Sequence, residues 1–420
     1  MRVNRLIVSA ACVGLSIAVL AGCGSSSSDD AGSGAATSSS GNPSSAGSKA
    51  PIVVGNVGSY SGPQASSEAG ARKVVQAWAD SVNAAGGING HPVKLIIKDA
   101  GGSTTGGLVA VKELVEQDHV VAIIGDQDNA DQTWASYIQS KGVPVIGGLP
   151  INLPFMTNPD FFPIGTNIVA SIYGYQMLAK SIGPKFGFLY CAEAPQCASS
   201  VPLAQALAKS TGLQIPVIAK VSGSAPDYVA VCQQLKDAGV DSYEVGSGAE
   251  VVLRIAKACK QQGVTAKQVT TDGTMTTAWL SEPAMDGALS SQQDFPFVDD
   301  SVPATQAYQA AIAKYAPDLG NFNGPNAAYA WVSGKLLEKA IENAGTDEVS
   351  AQSVKDGLYM MKDETLGGLT PPLTFVKDKP TLVNCYFTMG VKDGKFTTPN
   401  GLKTDCAPDA VINAIASQLS

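Results

Sequence analysis

The chain has 420 residues, 45% of them hydrophobic, and carries 36 acidic against 28 basic side chains, a formal net charge of −8 at pH 7. A net negative charge argues against a surface that follows a phosphate backbone, and therefore against nucleic-acid binding. Only two histidines are present, His91 and His119, so general acid–base catalysis has few candidates.

The N-terminus has the pattern of a bacterial lipoprotein signal peptide. Arg2 and Arg5 precede a mainly apolar run that ends at Leu20, and this run is too short for a comfortable transmembrane span. The sequence Leu-Ala-Gly-Cys follows, in which Cys23 would receive a diacylglyceryl group. We predict a signal peptide over residues 1–22 and anchoring to the cell membrane, on its extracytoplasmic face, through lipidated Cys23. Removal of that peptide would leave 26 basic and 36 acidic side chains, a net charge of −10.

A tether is predicted to follow the lipidated cysteine, so that residues 23–50 form one segment. Residues 24–50 contain eleven Ser and five Gly and almost nothing apolar. Such a segment cannot bury enough surface to offset the entropy lost on ordering, which favours a flexible tether. A glycosylated stalk is the alternative that this composition permits. Folding is expected to begin near Pro51, and the remaining chain is long enough for two lobes of ordinary domain size.

Strands and helices alternate through the first part of the folded region. Short apolar runs predict strands, and apolar residues recurring every three to four positions predict helices. This alternation is typical of a parallel sheet covered on both faces. The predicted strands lie over residues 52–57, 93–99, 120–124 and 143–146, and the predicted helices over 68–85, 108–115 and 130–140.

The same alternation resumes after residue 167, which predicts a second lobe. The fold class is therefore α/β, with two doubly wound parallel-sheet lobes. Ligands of such sheets bind outside the carboxyl ends of the strands, so two facing lobes predict one cleft between them. The second set of predicted strands is 186–190, 214–221, 243–245 and 268–271, and the helices are 168–182, 200–210, 226–238, 249–262, 301–316 and 325–343.

Six cysteines remain once Cys12 and Cys23 are set aside. An even number outside the cell suggests disulfides, although six cysteines allow fifteen pairings. A metal site is the competing interpretation, but no C-x-x-C motif or pair of histidines supports it, and no cofactor is expected. We favour pairing between neighbours in sequence: Cys191–Cys197, Cys232–Cys259 and Cys385–Cys406.

Several segments together carry a resemblance to a known family. The most specific is Asn-Ala-Ala-Gly-Gly-Ile-Asn-Gly at residues 83–90, and others lie at 121–125, 142–146 and 367–375. On these segments the chain resembles type I periplasmic binding proteins of the branched-chain amino-acid (Leu/Ile/Val-binding) family. The resemblance spans essentially all of residues 51–395.

The resemblance implies two lobes joined by a three-strand hinge that close on a solute by rigid-body motion. Lobe one would comprise residues 51–166 plus 298–366, and lobe two residues 167–297 plus 367–420. It also implies capture of a small-molecule solute and its delivery to an ABC-transporter permease. We expect the protein to act as a monomer.

The resemblance also suggests ligand-binding positions in lobe one. In amino-acid-binding members, hydroxyls and amides after the third and fourth strands hold the α-carboxylate. Here the matching positions carry Gln127 and Asn129, and the amide of Asn129 can donate to a carboxylate or accept from an amine. Gly148 and Leu149 follow the fourth strand, where glycine either admits a ligand close to the backbone or forms a turn.

Four further candidates complete the predicted site. Tyr60 and Ser61 follow the first strand, and Tyr173 lies near the predicted crossing between the lobes. Asp272 matches a position where the family carries an acid after a lobe-two strand, which favours a cationic or ammonium-bearing solute. The alternative for Asp272 is an Asp-Gly turn with a solvated carboxylate.

Two other function classes compete with that of a solute-binding protein. An enzyme is disfavoured because G-x-S-x-G, H-E-x-x-H and Walker A motifs are missing from the sequence. A ligand-sensing receptor lipoprotein of the same fold, acting through a membrane signalling partner, remains the alternative. The solute is expected to be small and polar, an amino acid or a related organic compound.

Overall fold

The computed structural model describes residues 49–62, 65–193, 195–320 and 324–417. The predicted signal peptide, lipidated Cys23 and nearly all of the predicted tether lie outside the described residues. The strands, in chain order, are β1 (Ile52–Gly58), β2 (Val93–Asp99), β3 (Ala122–Asp126), β4 (Val145–Gly148), β5 (Phe161–Phe162), β6 (Lys185–Cys191), β7 (Gln214–Val221), β8 (Ser242–Gly246), β9 (Lys267–Thr271), β10 (Leu289–Gln292), β11 (Cys385–Lys392), β12 (Lys395–Thr397) and β13 (Asp405–Cys406).

Helices connect most of these strands. No helix among the described residues combines the length and apolar character that a bilayer span requires. Single turns of 3-10 helix lie at Asp131–Thr133 and Asp272–Thr274, among other places. The α-helices are α1 (Ala65–Ala84), α2 (Thr104–Glu116), α3 (Ala135–Lys141), α4 (Pro154–Thr157), α5 (Ile168–Ile182), α6 (Pro195–Thr211), α7 (Val229–Ala238), α8 (Ala249–Gln261), α9 (Pro303–Tyr315), α10 (Pro325–Ala344), α11 (Ala351–Tyr359) and α12 (Asp409–Ala416).

The first sheet is wholly parallel and has the strand order β2-β1-β3-β4-β5. Successive side chains of a strand point to opposite faces, so a buried parallel strand needs apolar residues at consecutive positions. Ile124 and Ile146 belong to the cluster beneath α1 and α10, whereas Ile123 and Val145 belong to the cluster beneath α2 and α3. Helices therefore cover both faces of this sheet.

The second sheet has the order β12-β11-β10-β9-β8-β6-β7, with β13 paired to β11. Strands β6 to β10 are parallel, and Phe188 and Leu189 of β6 again pack into different clusters on the two faces. The prediction of two parallel α/β lobes is thus confirmed. The sequence analysis did not predict β10, nor the antiparallel strands β11 to β13 at one edge.

Three chain segments that run between the two sheets lie side by side and are hydrogen-bonded to one another. The amide of Thr166 donates to the carbonyl of Gln293 at 2.9 Å, and the side-chain amide of Gln293 donates back to the carbonyl of Thr166 at 2.8 Å. The third segment joins them where the Thr166 hydroxyl donates to the carbonyl of Cys385 and the Asn167 amide donates to that of Val383. A Cβ at Gly165 would lie 2.5 Å from the Gln293 carbonyl oxygen, so this approach requires glycine.

The disulfides of the structure all lie in the region of the second sheet. Cys232 and Cys259 are fully buried between α7 and α8, whereas Cys385 joins Cys406 where β11 pairs with β13. The bonds are Cys191–Cys197, Cys232–Cys259 and Cys385–Cys406, the neighbour pairs favoured from the sequence.

We expect the double variant Cys232→Ala/Cys259→Ala to lower the free energy of unfolding by about 3 to 4 kcal/mol, because the bond closes a loop between residues 27 positions apart. Chemical denaturation of the oxidised protein measures the change. As a comparison, Cys191→Ala/Cys197→Ala opens a loop of six positions and should cost only about 2 kcal/mol. An equal loss in both variants would contradict the chain-entropy explanation.

Candidate functional site

The candidate site lies at the carboxyl edge of the first sheet, where the loops after β1, β3 and β4 meet. The amide of Ser59 donates to the carbonyl of Gln127 at 3.0 Å, so the loops after β1 and β3 extend the sheet beyond its last ladder pairs. Helix α10 begins at this edge, since the side chain of Gln127 donates to the carbonyl of Asn326. The second sheet approaches the same helix, because the turn Asp272–Thr274 at the end of β9 lies against α10. The carboxyl end of β9 in the second sheet thus lies near the same helix as the carboxyl edge of the first sheet.

Tyr60 is held in place by contacts at both its hydroxyl and its ring. The hydroxyl donates to Asn56 Oδ1 at 2.6 Å, and the guanidinium of Arg72 lies 5.6 Å from the ring centroid. Burial raises the pKa of Tyr60 well above its usual value, so the phenol stays neutral over the ordinary pH range. Tyr60 therefore offers a neutral hydroxyl group and an aromatic surface at the end of β1.

The backbone amides at this edge are largely occupied by the protein's own oxygen atoms. Asp99 Oδ1 accepts from the amides of Tyr60 and Ser61 at 3.1 Å each and from that of Gly101 at 2.8 Å. Although burial opposes it, these hydrogen bonds hold the pKa of Asp99 below its usual value. Ser61 is exposed, and its backbone amide serves this turn.

The loop after β3 repeats this arrangement with buried acids. The amide of Asp128 donates to Asp126 Oδ1 at 2.9 Å, and that of Ala130 donates to Asp128 Oδ1 at 3.1 Å. The indole of Trp134 donates to Asp128 Oδ2 at 2.9 Å. Free backbone amides are what a parallel-sheet edge or a helix N-terminus uses to hold an anion, and here carboxylates of the protein already occupy them.

Asp126, Asp128 and Asp131 form a buried acidic group, each at most 2% exposed. Burial, followed by repulsion from Asp131 and Asp128, raises the pKa of Asp126 well above its usual value. Burial also raises the pKa of Asp131 to about 7. Among the described residues there is no set of three or more His, Cys, Asp or Glu side chains suited to hold a metal ion. Burial thus favours the neutral form of Asp126 and Asp131.

Glu68, in the first turn of α1, is the acid that the sequence analysis missed. It is 2% exposed, and Asn326 Nδ2 lies 3.2 Å and 3.4 Å from its two carboxylate oxygens. Burial raises the pKa of Glu68 to about 7, while hydrogen bonds from the side chains of Asn326 and Asn129 oppose that rise. None of the ion pairs among the described residues includes Glu68. Its position, a few residues after Tyr60 at the start of a helix, was the only available sequence signal.

Gln127 and Asn129, both predicted from the sequence, lie beside this glutamate. Gln127 is fully buried, and its Nε2 donates to the Asn326 carbonyl at 3.4 Å, while its Oε1 has no hydrogen-bond partner. Asn129 is exposed and contacts Glu68 through its side chain. The structure thus brings together Gln127, Asn129, Asn326 and Glu68, with Tyr60 nearby.

Gly148 and Leu149 are buried and hold the loop after β4 against β3. The amide of Leu149 donates to the carbonyl of Asp126 at 2.9 Å, and a Cβ at Gly148 would lie 2.2 Å from that same oxygen. Gly148 also has a φ of +144°, which L side chains rarely adopt. The glycine is therefore required by the packing of the loop itself.

The two candidates predicted in the second lobe, Asp272 and Tyr173, lie in different surroundings. Asp272 begins the turn that lies against α10, whereas Tyr173 packs on α5 into an apolar cluster of that lobe, close to Tyr386. A further acid, Glu244, is 5% exposed on β8 and accepts from the Thr270 hydroxyl at 3.3 Å. Burial raises the pKa of Glu244 to about 8. The sequence analysis did not identify this residue because it lies within a strand.

Comparison with known proteins agrees with this architecture. The model of the periplasmic binding protein family matches residues 51–395. An amino acid binding protein of Pseudomonas aeruginosa is 23% identical over 237 residues, which cover 54% of this chain and 62% of that relative.

Solved structures share the fold at low sequence identity. A branched-chain amino acid ABC transporter from Thermus thermophilus with bound valine superposes with a TM-score of 0.73 at 17% identity, covering 87% of this chain and 99% of that one. A fatty acid ABC transporter substrate-binding protein from Thermomonospora curvata superposes with a TM-score of 0.67 at 17% identity, covering 87% and 94%. This chain belongs to the periplasmic binding protein family, as the resemblance of its sequence indicated.

We expect Glu68→Gln to stabilise the protein at alkaline pH but not at acidic pH. The folded chain holds a proton on Glu68 up to a pKa of about 7, whereas the unfolded chain loses it at its ordinary 4.5. The contribution of Glu68 to the free energy of unfolding is therefore fully present below the pKa of the unfolded chain. It is lost, by about 3 kcal/mol in all, as the pH rises through the pKa of the folded chain. Glutamine stays neutral and removes this loss.

Thermal denaturation of both proteins at about pH 4 and about pH 8 measures this difference. Glu342→Gln, on the exposed side of α10, is the matched control and should track the unmodified protein at both pH values. A Glu68→Gln variant that is less stable at every pH would show that the ionised carboxylate is required for packing.

Proposed function

We propose that this protein is an extracytoplasmic solute-binding lipoprotein. It captures a small polar solute, an amino acid or a related organic compound, in the interlobe cleft and delivers it to an ABC permease. The observation that carries the proposal is the meeting of buried polar side chains, led by Glu68 and Gln127, at the carboxyl edge of the first sheet. This edge of a doubly wound sheet is where such folds bind ligands. Relatives named as amino acid binding and ABC transporter substrate-binding proteins support the same function.

The lobes proposed are residues 51–166 plus 298–366 and residues 167–297 plus 367–420. The hydrogen bonds that join Thr166, Gln293 and Cys385 support a hinge between them. Closure would bring the turn at Asp272 and the lobe-one residues around one solute. We propose binding without chemical conversion, by a monomer. The proposed ligand-binding residues are Tyr60, Ser61, Gln127, Asn129, Gly148, Leu149, Tyr173 and Asp272.

A thermal-shift screen of a non-lipidated Cys23→Ser protein against amino acids, amides, aromatic acids and sugars tests this function. A ligand present at about a hundred times its dissociation constant stabilises the folded state by about 2.7 kcal/mol, which shifts the melting temperature by a few degrees. Small-angle scattering should then show a smaller radius of gyration with the hit. A bound hit that leaves the radius of gyration unchanged would contradict hinge closure, and a chemically altered hit would contradict binding without turnover.

Membrane anchoring is proposed on the sequence at Cys23, where two or three acyl chains would give stable attachment. We expect labelled fatty acid supplied to the cells to be incorporated into the unmodified protein and not into the Cys23→Ser variant. Cys12→Ser, within the predicted signal peptide, is the matched control and should leave incorporation unchanged. Incorporation into Cys23→Ser would rule out this anchor.

A further inference from the structure

The lobe-one edge of the cleft is poorly equipped to hold a carboxylate. A bound carboxylate needs free N–H donors or a cationic side chain. The amides of Tyr60 and Ser61 already donate to Asp99, and those of Asp128 and Ala130 donate to acids of their own loop. The protein's own carboxyl groups thus already occupy backbone amides that a solute's carboxylate would use.

The two buried groups that stand out at this edge are hydrogen-bond acceptors. Among the described residues, Glu68 has amide side chains as its hydrogen-bond partners, and Gln127 Oε1 is fully buried with no hydrogen-bond partner. Both residues contact Asn326 at the start of α10: Glu68 accepts from its side-chain amide, and Gln127 donates to its backbone carbonyl. A buried carboxyl group that forms no ion pair among the described residues, and a buried amide oxygen without a donor, are suited to an N–H group that carries positive charge.

We propose that lobe one selects a solute with a protonated amine or amidine and without a carboxylate at this edge, and that Glu68 and Gln127 bind the cationic group. This assignment rests on the proposed function and narrows its substrate class to organic cations. Asp272, across the cleft, would add a second anionic group on closure. Tyr60 supplies an aromatic surface beside the cation, although Arg72 already covers one side of its ring.

Acidification should weaken capture, because only the ionised carboxylate attracts a cation. Burial raises the pKa of Glu68 to about 7, so affinity should fall by about tenfold for each pH unit below that value. The titratable group that interacts with Glu68 is Tyr60, which also interacts with Asp126 and Arg72, and Asp131 interacts in turn with Asp126. Burial also raises the pKa of Asp131 to about 7, so the Glu68→Gln variant is needed to distinguish the effect of Glu68 on affinity from that of Asp131.

Isothermal titration with matched pairs of compounds tests the assignment on the full-length Cys23→Ser protein. Each pair differs only by a carboxylate: 3-methylbutylamine and leucine, cadaverine and lysine, agmatine and arginine. We expect the decarboxylated member of at least one pair to bind and its amino acid to bind more weakly. Glu68→Gln should weaken that binding by about tenfold or more and remove its dependence on pH, whereas Glu342→Gln should leave both unchanged.

If the amino acid binds more tightly than its amine in each pair that binds, the assignment to organic cations is overturned. The proposed solute-binding function would still stand. If none of the three amines binds at millimolar concentration, the assignment to organic cations is overturned as well. In that case a hit in the thermal-shift screen would show that the proposed solute-binding function still holds. Loss of binding in Asp272→Asn with unchanged binding in Glu68→Gln would move the cation contact to lobe two and likewise overturn the role given to Glu68.

Discussion

The structure depends on the reciprocal hydrogen bonds that hold the three crossing segments together. Thr166 and Gln293 each donate to the other's backbone carbonyl, and the Tyr329 hydroxyl donates to Gln293 Oε1 at 2.8 Å. Tyr329 lies on α10 one turn after Asn326, the partner of Glu68. A single helix therefore contacts both the crossing and the candidate site. In the proposed function, rotation about the crossing and occupation of the site would both act on this one helix.

The favoured protonation state of each acid at the lobe-one edge depends on its burial and on the hydrogen bonds that it accepts. Asp99 is exposed and accepts three backbone amides, so its charged form is favoured. Glu68 is buried and, among the described residues, accepts from side-chain amides, so its neutral form is favoured. Two carboxyl groups at one edge therefore differ in the form that is favoured, and burial together with the number of hydrogen-bond donors decides the difference.

The parts of the fold that the sequence predicts best are those with strong local patterns. Helix α5 and strand β7 have the predicted bounds of 168–182 and 214–221, because their apolar spacing is clear and they are bounded by glycine or a cap. Strand β10 was missed since its sequence, Leu-Ser-Ser-Gln, lacks an apolar run. Positions after the strands led to Gln127 and Asn129, which lie in the loop after β3, and their binding role stays a prediction. Glu68 could not be identified in this way, because the helix that buries it lies 258 residues further along the chain.

The sequence order of the second sheet bears on when the protein can fold during synthesis. Strand β11 lies between β10 and β12, yet its residues, 385–392, leave the ribosome long after the parallel strands beside it. Helix α10, which covers one face of the first sheet, is likewise translated after every strand of that sheet. Both lobes therefore remain incomplete while most of the polypeptide has already emerged. A nascent chain of this kind exposes apolar sheet faces for much of its translation, and so calls for a chaperone or a translocation partner to keep it from aggregating.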